Sequence, residues 1–315
     1  MGGQQMQSEA TLAEPGLLRL ARFLPVEARL LRFTALVGAL AVALALAMDR
    51  SVNWPPFLAG YAATLGLAAI GGYVRQTKDA PRIALALVGA AIFTGFTAVS
   101  SIFIFALFPL PNPLIDPALI EADAALGYHW PTVVARLADY PWLAWLLGWI
   151  YHTSLVQIFL TIVLLAALSR PTELHRFLLV GMLTLILAVA IWWIVPSVGP
   201  SAFHSIPEAH LRATGLYFNP AYGQHLLKLI EVGPGRISPE VITGVVAFPS
   251  YHMIMALMVV WFTRATPAFL PALAVNTAMV PATLTHGGHH LVDLFAGLAV
   301  FAIGVWMANR LIRQS

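Results

Sequence analysis

The chain has 315 residues, of which 59% are hydrophobic and only 10% are charged, and it carries a formal net charge of +3. Soluble domains carry about 25% charged residues, so this composition excludes a soluble globular protein. It indicates an integral membrane protein whose partner is the lipid bilayer and not a nucleic acid. The absence of cysteine excludes disulfides, thiolate metal sites and a thiol nucleophile.

The first part of the chain, residues 1–32, is polar and basic. Residues 1–7, MGGQQMQ, resemble the remnant of an expression epitope tag and carry no weight in the fold argument. No cleavable signal peptide is evident, because this polar segment separates the start of the chain from the first apolar stretch. We therefore expect residues 1–32 to form a cytoplasmic N-terminal segment.

Apolar stretches long enough to cross a membrane follow along the chain. A transmembrane helix needs about 20 apolar residues, and the candidates are 33–48, 55–74, 83–108, 143–168, 177–195, 251–264, 268–284 and 289–309. The first and the sixth are short, which leaves the number open by one or two. The sequence predicts an all-α polytopic membrane protein with about eight transmembrane helices, three of them within 33–108.

Two segments between these stretches are long and not uniformly apolar. Residues 109–142 alternate proline breaks with amphipathic helical patches, and residues 196–250 are rich in proline, glycine and aromatics. Long connections of this kind are usually functional lids or disordered. For 109–142, plain amphipathic packing on the membrane surface is an equally open interpretation.

The basic residues are distributed unequally between the two membrane faces. If the eight helices cross the membrane in alternating directions, one face holds the segments 109–142 and 196–250. The 49–54 turn and the histidine-rich turn around GGHH (287–290) lie on the same face. The opposite face collects twelve of the seventeen lysines and arginines: Arg19, Arg22, Arg29, Arg32, Arg75, Lys78, Arg82, Arg170, Arg176, Arg264, Arg310 and Arg313. By the positive-inside rule, both termini are expected in the cytoplasm, and the histidine-rich turn faces the periplasm, cell exterior or organelle lumen.

Polar residues cluster at two predicted helix starts on that outer face. One is AFPSYHMIMALMVV at 247–260, in which Ser250 suits the N-cap position. The other begins in THGGHHLVD at 285–293, in which Gly287 and Gly288 allow a sharp turn. Each helix start presents free backbone N–H groups and a positive dipole end, which suits an anion such as phosphate.

Three ionisable residues at these helix starts form a candidate reactive group. His289 and Asp293 are four positions apart and therefore share one helix face. A carboxylate bonded to one imidazole nitrogen leaves the other nitrogen basic, ready to attack or to accept a proton. His252 lies on the same side and could meet His289 across a cleft. Each residue alone could be structural, but ionisable groups at membrane depth are costly and together indicate function.

The same turn also allows a metal-binding interpretation. HGGHH at 286–290 has the HxxHH spacing of membrane di-iron enzymes, which use several such histidine boxes. The remaining seven of the ten histidines are scattered singly at positions 129, 152, 175, 204, 210, 225 and 252. This excludes a di-iron site. A mononuclear site on two or three residues stays open, although we expect neither a metal nor another cofactor.

The two histidine motifs carry a resemblance to a known family. FPSYH at 248–252 and HGGHHLVDLFAG at 286–297 resemble the second and third signature blocks of the type 2 phosphatidate phosphatase superfamily. The similarity is greater to the branch that contains inositol phosphorylceramide synthases and related lipid phosphotransferases. It covers about residues 109–300 and includes the supporting stretches at 116–131, 149–155 and 195–203.

The resemblance implies a role for each matching residue. His289 would be the nucleophile that forms a phosphohistidine, and Asp293 would orient it. His252 would protonate the leaving alkoxide and later deprotonate the acceptor, while Ser250 would hold phosphate oxygens. Further candidates for substrate binding are Tyr251, Tyr151, His152, His286, His290 and Arg236.

The sequence departs from the classical phosphatases of that superfamily in its cations. Their first block carries a lysine and an Arg-Pro pair, and an arginine precedes the histidine of their third block. Here Arg170-Pro171 lies on the predicted cytoplasmic face, with Val163 in place of the lysine and Thr283 in place of the arginine. The outer-face groups that could replace them are Arg212, Lys228, Arg236, Tyr151 and His152.

These departures favour a phosphodiester donor, which carries less charge than a phosphomonoester. We therefore expect a lipid phosphotransferase that moves a phosphorylated head group from a phospholipid to a lipid alcohol or to water. Residues 143–315 would be its catalytic helical core and 196–250 an outer loop. A lipid phosphatase acting on phosphatidate or a polyprenyl phosphate is the alternative, and a non-enzymatic transporter or scaffold is the alternative of another class. The oligomeric state is not predicted.

Overall fold

A computed structural model describes residues 23–312, and nearly all regular structure in this range is α-helical. The helices are α1 (Pro25–Ala47), α2 (Trp54–Thr77), α3 (Pro81–Ala106), α4 (Asp116–Ala125), α5 (Trp130–Ala138), α6 (Pro141–His152), α7 (Ser154–Ala167), α8 (Pro171–Ile194), α9 (Glu208–Thr214), α10 (Pro220–Val232), α11 (Tyr251–Thr263), α12 (Phe269–Thr285) and α13 (Leu291–Leu311). This confirms the predicted all-α fold. The predicted tag remnant and most of the predicted N-terminal segment lie outside the described residues.

Each predicted apolar stretch contains helix, but the stretches differ in length. Helices α1, α2, α3, α8 and α13 are long and apolar enough to cross a membrane. Helices α6 and α7 meet at a bend of 50° and make a sixth span if they are counted as one. Helices α11 and α12 are apolar but shorter. The protein is therefore a multi-pass integral membrane protein, with five or six spans of full length within residues 23–312.

The predicted single span at 143–168 is interrupted at Thr153, although no proline lies there. The Thr153 hydroxyl donates to the Ile150 carbonyl at 2.6 Å and accepts from the Gln157 amide at 2.9 Å. Side-chain hydroxyls that compete for backbone carbonyls bend helices. This competition accounts for the break between α6 and α7.

Helix α1 begins at Pro25, eight residues before the predicted boundary at position 33. Proline favours the first position of a helix, and Glu27 then accepts the Leu24 N–H at 2.8 Å. The Glu27 carboxylate is buried and forms a bidentate pair with Arg75 at 2.6 and 2.7 Å. Because Arg75 of α2 neutralises Glu27, the first turn of α1 can be buried although it carries a charge. The apolar pattern of the sequence did not predict this earlier start.

The apolar core joins the full-length helices to α7 and α11. Buried leucines, isoleucines, phenylalanines and methionines of α3, α7, α8, α11 and α13 form one continuous cluster. Helices α3 and α8 end where α11 and α13 begin, and we call this end of the bundle the site end. Helices α4, α5, α9 and α10 pack there.

The segment 109–142 does more than lie on the membrane surface. Helix α5 buries Trp130, Val134 and Leu137, as an amphipathic helix does. Helix α4, however, buries Asp116 and Asp123 together with a single leucine. Buried carboxylates must be paired or hydrogen-bonded, so this face of α4 is built to contact polar groups of the protein.

Candidate active site

The two helix starts predicted from the sequence lie against each other at the site end. Ser250 caps α11 by accepting the Met253 N–H at 3.3 Å with its hydroxyl. The Ser250 N–H donates to the carbonyl of Asp293, in the first turn of α13, at 3.0 Å. The beginnings of α11 and α13 are thereby held together, and the side chains of both point into one region.

The turn before α13 fits closely beneath the segment 196–250. Gly288 has a φ of +58°, which glycine adopts without strain. A Cβ on Gly199 would lie 2.1 Å from the Gly288 carbonyl oxygen, so the two backbones touch where no side chain fits. The Phe218 N–H donates to the carbonyl of His286 at 3.1 Å. The segment 196–250 is thus fixed to the histidine-rich turn.

Asp293 fixes the orientation of the His289 ring. Its Nδ1 lies 3.0 Å from Oδ2 of Asp293, which also accepts the His290 N–H at 2.8 Å. Both side chains are buried, with His289 4% and Asp293 0% exposed. Because Nδ1–H donates its hydrogen bond to the carboxylate, Nε2 carries the free lone pair and is directed away from Asp293. Nε2 lies 3.4 Å from the Ser250 hydroxyl, at the edge of a cavity.

His252 faces His289 across this cavity. The two ring centroids are 6.2 Å apart and the rings are inclined by 65°. On its other side, His252 stacks on Tyr151 with a centroid distance of 4.3 Å and an angle of 24°. The stacking fixes the imidazole plane. Proton transfer between His252 and a group bound at His289 is therefore geometrically possible.

The cavity between the histidines is narrow and mostly apolar. Its volume is about 20 Å³, which holds about one water molecule. Its lining consists of Tyr151, Val198, Phe218, Leu226, Gly244, Val245, Val246, Ala247, His252, Gly287 and His289. No lysine or arginine is among these residues. Within residues 23–312, histidine and acidic side chains also form no group of three that could hold a metal ion.

A family model described as the PAP2 superfamily matches residues 117–307. This is more than half of the chain and includes the cavity residues together with most of α13. The chain belongs to the PAP2 superfamily. Its members are generally lipid phosphatases and phosphotransferases. No curated protein and no solved structure matches the chain.

The structure brings only some of the predicted substrate-binding residues to the PAP2 cavity. Tyr151 lines it, and Ser250 lies against His289. His152 and His286 line a neighbouring groove and not the cavity itself. They are nevertheless adjacent in sequence to Tyr151 and Gly287, which do line it.

The other predicted binding residues lie elsewhere. The Tyr251 hydroxyl donates to the Gly181 carbonyl at 2.9 Å and lines an apolar cavity on the far side of α11. Arg236 is exposed and donates to Asn53 at 3.2 Å, beside the 49–54 turn. Neither side chain lines the cavity of the reactive histidines.

His290 is directed away from the PAP2 cavity into a second buried site. Its Nδ1 lies 2.9 Å from Asp123 and its Nε2 lies 3.3 Å from Asp116. An imidazole that donates to carboxylates through both nitrogens carries both protons. Burial lowers the pKa of His290, which precedes the first residue of α13, but the hydrogen bonds to Asp116 and Asp123 outweigh burial and raise the pKa to about 9. We call Asp116, Asp123 and His290 the ionic cluster.

The two aspartates of the ionic cluster were not predicted as site residues. Asp123 also accepts the N–H groups of Leu291 and Val292 at 3.2 and 3.1 Å, and so caps α13. Asp116 accepts the Gly199 N–H at 2.8 Å. Helix α4 therefore ties the histidine-rich turn to the segment 196–250. The one sequence signal was a pair of aspartates seven positions apart, on one face of a helix in a chain that is poor in charge.

Proposed function

We propose that this protein is a lipid phosphotransferase that moves a phosphorylated head group from a phospholipid to a lipid alcohol, as in inositol phosphorylceramide synthesis. The observation that carries the proposal is the orientation of His289. Asp293 holds its Nδ1, while its Nε2 borders a cavity shared with His252. This is the arrangement of a nucleophile with an orienting carboxylate and a facing acid-base group.

The reaction proceeds by two displacements at phosphorus. In the first, Nε2 of His289 attacks, the bond from phosphorus to the diacylglycerol oxygen breaks, and His252 gives that oxygen a proton. Diacylglycerol leaves, and the head group stays on His289 as a phosphohistidine. In the second, the hydroxyl of the acceptor attacks phosphorus and gives its proton to His252, and the P–N bond breaks. His289 is regenerated, and a new phospholipid leaves.

The absence of lysine and arginine from the cavity lining favours a phosphodiester as the donor. A phosphomonoester would bring more negative charge into a site in which none of the lining residues is a cation. A phosphodiester has fewer charged oxygens, which the N–H groups and the positive dipole end at the start of α11 can stabilise. The Ser250 hydroxyl, 3.4 Å from His289 Nε2, would hold one of these oxygens.

The apolar wall of the cavity favours a lipid alcohol over water as the acceptor. Phe218, Leu226 and Val245 of the segment 196–250 contribute to this wall. Exclusion of water is how enzymes protect reactive intermediates from hydrolysis. A phosphohistidine in so small a cavity would meet few water molecules, and a lipid hydroxyl arriving from the membrane would compete well.

We further propose that the site end faces away from the cytoplasm and that both termini are cytoplasmic. The support is the distribution of basic residues. Lys78, Arg82, Arg170 and Arg264 all lie where α2, α3, α8 and α11 reach the opposite end of the bundle. Basic residues near helix ends favour the cytoplasmic side.

An assay of the purified protein in detergent micelles tests this function. Phospholipids with labelled head groups are supplied with and without ceramide, and the products are identified. We expect diacylglycerol and a new phospholipid with ceramide, and no turnover by His289→Gln. Release of inorganic phosphate from phosphatidate, with no lipid alcohol ever competing with water, would instead establish a lipid phosphatase. A transporter or scaffold would release no diacylglycerol from any donor.

A further inference from the structure

A large groove lies at the site end, next to the PAP2 cavity between His252 and His289. It has a volume of about 700 Å³ and runs between α6, α9 and the histidine-rich turn. The lining residues that matter here are Trp145, Trp149, His152, Arg212 and His286. The PAP2 cavity, at about 20 Å³, has no room for an acceptor lipid in addition to a head group held on His289. The groove has that room.

Only a thin wall separates the groove from the cavity. His152 lines the groove, and the preceding residue, Tyr151, lines the cavity. In the same way, His286 lines the groove and the next residue, Gly287, lines the cavity. The boundary between groove and cavity is therefore formed by Tyr151 with His152 and by His286 with Gly287. A molecule in the groove lies next to residues that adjoin the cavity of His289.

His286 presents an unused hydrogen-bonding atom at this boundary. The residue is 3% exposed, and its Nε2 has no hydrogen-bond partner. The imidazole packs on Gly148, where a Cβ would lie 3.1 Å from the ring. Burial lowers the pKa of His286, which keeps the ring neutral. A buried polar atom without a partner is costly, so Nε2 is an acceptor suited to a hydroxyl proton.

The rest of the groove suits an uncharged amphiphile. Its single arginine, Arg212, is exposed and pairs with Glu208 at 3.2 Å, so this rim carries no net charge. Trp145 and Trp149 are 65% and 60% exposed and lie in contact, with ring centroids 5.9 Å apart. Exposed tryptophans of this kind are typical of the membrane–water interface, where lipid head groups lie.

We propose that this groove binds the lipid alcohol that accepts the head group, and that the alcohol donates its hydroxyl hydrogen bond to Nε2 of His286. The inference rests on the proposed transferase function and adds a place for the second substrate. The acyl chains would remain in the bilayer beside Trp145 and Trp149. From the groove, the hydroxyl needs to move past one residue to reach a phosphohistidine at His289.

The first test is the partition of product between the lipid alcohol and water. His286→Phe keeps a flat ring but removes the acceptor atom, so we expect the ratio of transfer to hydrolysis to fall about tenfold, as loss of one hydrogen bond implies. His286→Gln, which restores an acceptor oxygen, should recover part of the ratio. His129→Phe is the matched control, because His129 is exposed and bonds Thr132 outside the groove. An unchanged ratio in His286→Phe would overturn the proposal.

The second test measures binding and does not depend on turnover. A brominated lipid alcohol should quench tryptophan fluorescence in nanodiscs, and the quenching lost in Trp149→Phe is assigned to the groove. His286→Phe should weaken that part of the quenching, whereas a brominated phospholipid without a free hydroxyl should not distinguish the variants. Equal quenching of the groove part in the wild type and in His286→Phe would overturn the groove assignment. If the wild type cleaved no donor at all, the proposed function would fail, and this measurement would still decide the question of binding.

Discussion

The PAP2 cavity and the ionic cluster are two buried sites that contain consecutive histidines, His289 and His290, with opposite hydrogen bonding. His289 gives one nitrogen to a carboxylate and keeps the other at a cavity. His290 gives both nitrogens to carboxylates and has no free atom. The residue type, the burial and the acidic partners are alike in both. The difference lies in how many ring nitrogens bind carboxylates. With one nitrogen bound, His289 keeps an atom available for chemistry, whereas His290, with both bound, can only stabilise the fold.

The largest expected effect is on activity, from His289→Gln. Removing the nucleophile closes the covalent route, so we expect turnover to fall by about 10⁵-fold or more. The unfolding temperature should change little, because the glutamine amide can donate to Asp293 in place of Nδ1 and the contact of Nε2 with Ser250, at 3.4 Å, is weak. Turnover and thermal unfolding of the same detergent preparation check both. Retention of more than about a few per cent of activity would assign the nucleophile to another residue.

Asp293→Asn should produce the next largest loss. The amide would favour the wrong tautomer of His289, and by analogy with the serine-protease triad the rate should fall by about 10⁴-fold with donor binding retained. Some stability should also be lost, because Asp293 accepts the His290 N–H at 2.8 Å. Separate measurements of kcat and KM check whether the rate falls while donor binding is retained. A wild-type kcat would make Asp293 purely structural.

His252→Ala should lower the rate by about 10²- to 10⁴-fold, as expected for loss of an acid-base group. The loss should shrink for donors whose leaving group is more acidic, because such a group departs without a proton from His252. A series of synthetic donors that differ only in the leaving alcohol checks this. Equal losses along the series would contradict the acid role. His225→Ala, on the exposed face of α10, is the control.

His290→Gln should affect stability more than chemistry. Breaking a buried ionic pair costs about 3–5 kcal/mol, and here two carboxylates would remain buried with fewer partners. The turnover of the protein that stays folded should change the least among these variants. Unfolding temperature and activity per folded molecule check the prediction. A stable but inactive His290→Gln would remove the distinction between the two sites.

The pH dependence of stability sharpens the same comparison. Burial lowers the pKa of His290, but Asp116 and Asp123, with Asp293 nearby, raise it to about 9, whereas an unfolded chain gives about 6.5. The folded state then binds the extra proton, so this stabilisation is complete below a pH of about 6.5 and is lost as the pH rises through about 9. The unfolding temperature should fall more steeply over this window in the wild type than in His290→Gln. Parallel curves would show that the cluster does not titrate in this way.

The two regions also differ in how well the sequence predicted them. His289 and Asp293 are four positions apart at the start of α13, and Ser250 and His252 mark the start of α11, so the local pattern was sufficient to predict that these residues lie together. The ionic cluster joins His290 to residues 167 and 174 positions away, and no local pattern encodes that pairing. The early start of α1 was missed for the same reason, because it depends on the pairing of Glu27 with Arg75 from another helix.

Adjacency in sequence did not predict which side chains line the PAP2 cavity. Tyr251 and His290 each neighbour a residue of the reactive group, yet consecutive side chains on a helix or turn point in different directions. One therefore lines an apolar cavity and the other enters the ionic cluster. Arg236 was selected for its charge alone, and a pairing with Asn53 takes it to the 49–54 turn. Charge and sequence position could not supply these directions.

The most direct test of the account is to trap the intermediate on His289. The protein is incubated with a donor that carries ³²P in its head-group phosphate, quenched in base and digested, and the labelled peptide is sequenced. We predict an acid-labile, base-stable label on His289, none on His290, and loss of the label as a new phospholipid when a lipid alcohol is added. Turnover without a label on His289, or an equal label in His289→Gln, would contradict the account.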